Sequence, residues 1–515
     1  MNLDDFPTTF SKLPGSMPIR SGTVDAEQFR ALCEQVKRDG GRLLALWGSD
    51  ETVRRNGYAL HAALATASGM LCLVLPVSAE RLSFPDISDL FPSANRMQRA
   101  VADLLGLHAL GAGDTRKWLR HASWPGNVHP LRKAFDSGTV FPTEADAYPF
   151  VGVSGDGVHE IPVGPVHAGT IEPGHFRFSI VGERVLRLEE RLGYKHKGIE
   201  KRFEELSLEQ GIKLAGRISG DSTVAYAWAY AQAVESVTGA VPPPRAQALR
   251  ALFLELERIH NHLGDLGYLG NDAALAFGFA QFWILKEELL RLNGELFGHR
   301  YLMDRIAAGG VACDLDERGG ERIRGLLRHL ENELNALKNI YDEHAGVQDR
   351  FLTTGRVTPD LAAQLGLSGL AGRASGQAWD LRAQFPCPPY DRLDVRMATH
   401  RNGDVAARVT VRFEEVQESI RLIRRLLETL PGGNILAAVA KAPDHALGIG
   451  WVEGWRGEIV VALHTGTDNA IHRLHPHDPS WQNWPLLEHA IIGNIVPDFP
   501  LINKSFNLSY AGVDL

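Results

Sequence analysis

The sequence predicts an α+β fold, with a small N-terminal α/β domain fused to a larger domain that has a central helical bundle and peripheral β-strands. Three observations predict it. Helix and strand patterns alternate from Val24 to about Phe135. Long amphipathic helical stripes then recur at 245–267, 323–341 and 413–430. Strand signals flank that helical region, HFRFSIVG and ERVLRLEERLG before it and GEIVVALHT after it.

Taken in order, residues 1–22 read as a loose tail and residues 23–140 as the α/β domain. Within that domain EQFRALCEQVKRDG and ANRMQRAVADLLGL carry helical periodicity, and LLALWG and MLCLVLPV are short apolar runs expected to be strands. KWLRHASWPGNVHPLRKAF is rich in Trp, Pro and Gly and poorly periodic, which predicts an extended segment. Residues 136–160 are turn-rich and polar, and the linker is placed at 141–160, ahead of the large domain at 161–515. In RAQALRALFLELERIHNHLGDLG the residues Leu249, Leu252, Phe253, Leu256, Ile259 and Leu263 form one core-facing stripe. Pro242, Pro243 and Pro244 stop the preceding helix and start this one. The three stripes predict members of one bundle.

Composition narrows the function classes. The 515 residues are 44% apolar and 23% charged, with a net charge of -8 and no basic run. That balance argues against nucleic acid, whose phosphates reward clustered Lys and Arg. The four cysteines, Cys33, Cys72, Cys313 and Cys387, share no metal-ligand or redox spacing. The longest apolar stretch, GMLCLVLPVSA, falls far short of the roughly 20 residues a bilayer requires. MNLDDFPTTFSKLPG lacks the apolar core of a secretory signal. The expectation is a cytoplasmic protein with no membrane span of its own.

One short stretch raises a chemical question. In GRISGDST, Ser219 and Ser222 stand three apart at the head of the apolar segment AYAWAYAQAVES. Two thiolates at that spacing would clamp a metal, whereas two hydroxyls present hard, neutral oxygen. His260 and His262 lie two apart on a predicted helix and point roughly 200° apart, so they make no two-histidine metal site and are expected to be interhelical hydrogen-bonding residues. HRLHPHDP (472–479) is expected to be an exposed polar loop.

Three blocks carry a family resemblance over about residues 24–515. RMQRAVADLLGLHALGAGDTRKWLRHASWPGNVHPLRKAF, with HPLRK at 129–133, resembles the 30-kDa subunit of respiratory complex I and the matching domain of membrane-bound hydrogenases. GPVHAGTIEPGHFRFSIVGERVLRLEERLGYKHKGIEK resembles the start of the complex I 49-kDa subunit and of the nickel–iron hydrogenase large subunit. ELERIHNHLGDLG, RASGQAWDLR and WVEGWRGEIV continue that likeness. The fused order is most similar to the large subunit of formate hydrogenlyase-type, energy-converting hydrogenases.

The resemblance implies a nickel–iron centre held by two cysteine pairs. Those positions fall here on Ser219 and Ser222, and on Ser509 and Gly512, with Asn507 in place of an aspartate. No thiolate remains at any of the four, so no metal is expected. The quinone-binding Tyr and His of complex I fall on Gly220 and near Ile171 to Pro173, so both are replaced. By resemblance Glu172 and His175 are the candidate catalytic residues, Glu172 as a proton relay. His167, Arg217, Gly220, Asp380 and Arg382 are expected to line the cavity, and Arg456 and Glu458 to meet an iron–sulfur partner. The chain is expected to bind no cofactor itself. A small iron–sulfur subunit with a 4Fe-4S cluster, antiporter-like membrane proteins beyond it, and attachment to the inner face of the plasma membrane complete the expectation. A quinone is the first candidate acceptor, and a redox-inactive scaffold is the competing reading.

Overall fold

The computed structural model describes residues 10–54, 57–142 and 147–515. The N-terminal domain is a five-stranded sheet, in the order β1-β2-β5-β4-β3. Its strands are β1 (Ser11–Lys12), β2 (Ile19–Thr23), β3 (Arg42–Asp50), β4 (Tyr58–Thr66) and β5 (Gly69–Val77). Only the β2/β5 pair in it is parallel. Helix α1 (Ala26–Arg38) starts at Asp25, whose carboxylate accepts from the Gln28 backbone while the Gln28 side chain accepts in return. This reciprocal cap satisfies two amides that the first helical turn leaves open. The short strand β6 (Ser83–Pro85) precedes α2 (Ala94–Leu105), which ends at Gly106. Gly106 sits at φ 75°, a left-handed stop that costs a residue without Cβ little. Beyond it β7 (His108–Leu110) pairs with β6.

Three expectations change here. Part of the supposed tail, residues 11–12 and 19–22, is strand, because residues 19–22 pair along β5 and residues 11–12 pair with them; residues 1–9 lie outside the described part. The segment 117–135 is a run of turns anchored by Asp103, whose carboxylate accepts from the amides of Trp118, Leu119 and Arg120. The turn-rich stretch 136–160 already contains the start of strand β8 (Val158–Val163), and its residues 143–146 lie outside the described part.

The large domain opens with the antiparallel sheet of β8, β9 (His175–Val181) and β10 (Arg184–Arg191). After α3 (Ile199–Phe203) and α4 (Leu208–Ala215) come the bundle helices α5 (Thr223–Thr238), α6 (Pro244–Asp272) and α7 (Ala276–Phe297). A hairpin of β11 (Ile306–Ala307) and β12 (Gly310–Val311) leads to α8 (Glu317–Glu343). Four short helices follow, α9 (Ala345–Phe351), α10 (Pro359–Leu365), α11 (Gly369–Ala374) and α12 (Leu381–Gln384), before α13 (Val405–Glu428). The three periodic stripes are α6, α8 and α13, and they do share one bundle. Helix α7 joins them, packing along both α6 and α8.

A second antiparallel sheet, β13 (Leu447–Glu453), β14 (Glu458–Thr465) and β15 (Ile471–His477), lies against α5. The chain closes through α14 (Ser480–Ala490) and α15 (Phe499–Phe506). The expected polar loop at 472–479 is instead mostly β15, and all its side chains are buried. The reason is that β3 crosses over it: Trp47 stacks between His61 and His475, and Glu200 pairs with both Arg473 and His475. The histidines are thus part of the junction between the two domains. Among the described residues no helix is long and apolar enough to cross a membrane.

Candidate functional site

The loop before α5 and the segment after α15 meet. Ser219 Oγ lies 3.1 Å from Ser509 Oγ, and Ser509 Oγ accepts the Gly512 amide at 2.9 Å. Ser219, Ser222, Ser509 and Gly512, separated by up to 293 positions, therefore form one buried group.

Asp221, inside the same GRISGDST stretch, organises it. Its carboxylate accepts from Ser219 Oγ at 2.8 Å and is clasped by both terminal nitrogens of Arg456. Arg456 also donates to Ser222 Oγ at 3.3 Å and, through Nε, to the Asn507 carbonyl. Enclosure opposes ionisation of Asp221, but the Arg456 guanidinium and the Ser219 hydroxyl outweigh it and hold the carboxyl well below its usual range. Its backbone carbonyl takes hydrogen bonds from Asn261 and Trp455. The Asp221 side chain is about 35% exposed, so the group opens to solvent beside Gly220. Asn507 donates to Asp265, whose other oxygen is held by Arg412.

These residues do not fit a nickel–iron centre. Soft, low-valent metals need thiolates, and the donors here are hydroxyls. A guanidinium already pairs with the nearest carboxylate. The position aligned with the fourth thiolate has no room for a side chain: a Cβ on Gly512 would lie 2.7 Å from Cβ, Cγ and Oδ2 of Asp478. Asp478 is fixed in turn by the Tyr226 hydroxyl at 2.7 Å and the Ser480 amide at 2.8 Å. Gly512→Ala is therefore expected to lower stability by about 1–3 kcal/mol through overpacking. Denaturant unfolding checks this, and the loss should shrink in an Asp478→Gly background.

The other expected residues divide into those near the group and those elsewhere. Glu172 accepts from the Ala511 amide at 3.1 Å and lies 3.7 Å from Lys195, so it reaches the edge of the group. His167 is 3.3 Å from the Tyr510 hydroxyl, and burial lowers its proton affinity. His175 begins β9 with its ring 5.2 Å from Phe150, and its Nε2 has no hydrogen-bond partner among the described residues. Burial and Arg177 lower its proton affinity.

Arg217 turns away from the group. It forms a two-pronged pair with Asp304 at 2.6 and 2.7 Å and is 41% exposed, so it does not line the cavity. Asp380 pairs with Arg382, which also binds Glu255, inside a separate ionic network rather than beside the serines. Arg456 points inward to Asp221, and Glu458 is buried against Arg42 and the Trp451 indole. Both side chains expected at a partner-facing edge are thus engaged within the chain.

The histidine pair splits. His262 Nε2 meets Glu415 at 2.8 Å, across from α6 to α13, as an interhelical bond. His260 is equally buried, but neither ring nitrogen has a partner among the described residues, and burial pushes its proton affinity down to about 3. The sequence reading missed Glu257. One turn along α6, it accepts the Val224 and Ala225 amides at 2.7 and 3.1 Å and so caps the start of α5. No pattern marks it, because its acceptor role depends on where α5 starts in space.

A small α/β domain ahead of a helical bundle, with two buried loops converging on the positions of a metal clamp, defines the class of hydrogenase-like and complex I-like large subunits. Residues 22–140 match the family described as respiratory-chain NADH dehydrogenase, 30 Kd subunit, and residues 270–447 match the corresponding 49 Kd subunit. Formate hydrogenlyase subunit 5 of Escherichia coli is 31% identical over 485 residues, covering 93% of this chain and 85% of that protein. The C/D subunit of an NADH-quinone oxidoreductase of Bacteroides fragilis is 27% identical over 422 residues, 77% of this chain and 78% of that one. A membrane-bound hydrogenase subunit alpha of Pyrococcus furiosus is 29% identical over 356 residues, 66% and 83% respectively. The chain belongs to this family, which unites the fused 30-kDa and 49-kDa subunits of complex I with the large subunits of formate hydrogenlyase-type hydrogenases.

Proposed function

We propose that the chain is a peripheral-arm subunit of a membrane-bound oxidoreductase complex of the complex I and energy-converting hydrogenase type. In this reading it holds no nickel–iron centre and couples electron transfer to ion translocation. The observation that carries the reading is the pairing of Arg456 with Asp221 among four aligned positions that present oxygen or hydrogen in place of sulfur. A small iron–sulfur subunit docks on the chain, its 4Fe-4S cluster delivers electrons, and antiporter-like membrane subunits hold the assembly at the inner face of the plasma membrane. Thermodynamic coupling then needs groups whose protonation responds to nearby charge. Glu172, tied to the Ala511 amide at the edge of the serine group, is the first such candidate. A quinone is the first candidate acceptor, approaching from the exposed side at Gly220 and Asp221.

Metal analysis of the purified complex tests this: cluster iron without stoichiometric nickel is expected, and stoichiometric nickel overturns it. One observation favours a second reading, a redox-inactive scaffold. Glu172 and His175 are not hydrogen-bonded to each other, and Glu172 is already engaged by Ala511 and Lys195. Quinone-reductase turnover separates the two. Loss of turnover in Glu172→Gln supports the coupled oxidoreductase, and turnover unchanged by every substitution in the serine group leaves the scaffold.

A further inference from the structure

A second ionic network, distinct from the serine group, runs through the centre of the bundle. Arg373 on α11 donates to Glu415 of α13 at 2.9 Å and to Glu453 of β13 at 2.8 Å. Arg382 binds Asp380 and both oxygens of Glu255. Arg258 reaches Glu255 at 3.4 Å and Glu415 at 3.5 Å. Glu255 also accepts from Tyr390 and Ser419, each at 2.6 Å. All of these charged side chains are buried.

The charges do not balance. Four carboxyls (Glu255, Asp380, Glu415 and Glu453) face three guanidiniums (Arg258, Arg373 and Arg382). His262, beside Glu415, has its proton affinity lowered by burial and adds no positive charge. Glu458, the next carboxyl along, already has Arg42 as its partner. An uncompensated charge this deep costs several kcal/mol, so one carboxyl of the four binds a proton instead. Glu453 is the member least served by cations, holding Arg373 and the Leu381 amide while facing Asp380 and Glu458. Burial and those two carboxylates raise it to about 7, whereas Arg382 and Arg258 keep Glu255 low and Arg373 with His262 keeps Glu415 low.

Two cavities with shared walls lie between Glu453 and solvent. Glu453 borders a cavity of about 10 Å³ lined also by Met17, Trp228, Arg382, Cys387 and Tyr390. That is room for about one water molecule. Met17, Trp228 and Cys387 are also walls of a larger cavity of about 330 Å³, which extends to the exposed residues Gly15, Ser16 and Val241.

We propose that Glu453 is a proton-loading site at the centre of the bundle, filled from solvent through the cavity between residues 14–17 and α5, and linked through Arg373 and Glu415 to His262 on α6. In loading, Glu453 Oε2 turns from the Leu381 amide and takes a proton from a hydronium that enters from the outer cavity, leaving a water molecule. In release the proton returns the same way, and Arg373 balances the carboxylate left behind. The use of this site in ion coupling rests on the function proposed above. The site itself does not, because its test needs neither partner nor acceptor.

Infrared spectroscopy of the purified full chain across neutral pH is the test, in a Glu257→Gln background that removes a second buried carboxyl raised to about 8. A carboxylic-acid carbonyl band that titrates near pH 7, shifts in deuterated water and disappears in Glu453→Gln is expected. The band persisting unchanged in Glu453→Gln, or no such band titrating, overturns the assignment. Asp380→Asn keeps the test decisive should the first variant fold poorly. It removes a facing negative charge and is expected to move the band's midpoint down by about 1 pH unit. An unmoved midpoint there also overturns the assignment. Narrowing the shared wall with Cys387→Met should slow the deuterium shift of the band, and an unchanged rate rejects the route.

Discussion

Replacing Arg373 with methionine is expected to destabilise the protein by about 3–5 kcal/mol, the usual cost of removing one partner from a buried ionic cluster. Methionine nearly matches the arginine stem in volume, so the loss reports charge rather than a cavity. Arg373 is 0% exposed and bonds the carboxylates of both Glu415 and Glu453. Without it, four carboxyls face two guanidiniums, and the Trp379 carbonyl loses a donor as well. Denaturant unfolding measures the change. Adding Glu415→Gln to the variant should return part of the stability, because it removes the carboxylate that Arg373 held, whereas Glu453 already takes up a proton. A loss below about 1 kcal/mol, with no recovery in the double variant, would mean that solvent reaches the network.

The second large effect is a pH dependence at Glu257. Burial raises this carboxyl to about 8, and the neighbouring Asp221 adds to the rise, while the Val224 and Ala225 amides partly oppose it. A group raised on folding binds its proton more tightly in the folded state. Its stabilising contribution is therefore complete below the unfolded value, near 4.5, and is lost as pH climbs through 8. In Glu257→Gln that loss is absent. Stability of the wild type relative to this variant should fall by about 4 kcal/mol between about pH 5 and pH 9, since each tenfold change in proton affinity is worth about 1.4 kcal/mol. Other titrating groups are common to both proteins and cancel in the difference. Parallel stability curves would show that Glu257 titrates alike in the folded and unfolded chain.

Local pattern accounts for the elements that could be read directly. The α6 stripe from Leu249 to Leu263 is a period of three to four whatever surrounds it, and Asp25 with Gln28 writes a helix start into four residues. Where the reading went astray, tertiary contact overrode polarity. HRLHPHDP has the composition of a surface loop, yet the N-terminal domain covers it, and Trp47, Glu51 and Glu200 supply its histidines and arginine with partners. Arg217 and Arg456 look equivalent as lone arginines near a motif. One pairs with Asp304 at the surface and the other with Asp221 inside.

By itself the sequence determined the α+β class, the family, and the absence of sulfur at Ser219, Ser222, Ser509 and Gly512, because each is a matter of residue type and order along the chain. Only the tertiary structure decided what stands there instead. That Arg456 neutralises Asp221, that Asp478 fills the space beside Gly512, and that four buried carboxyls outnumber three guanidiniums are facts about groups up to 235 residues apart. Electrostatic and steric energies depend on distance in space, and folding sets those distances where spacing along the chain cannot.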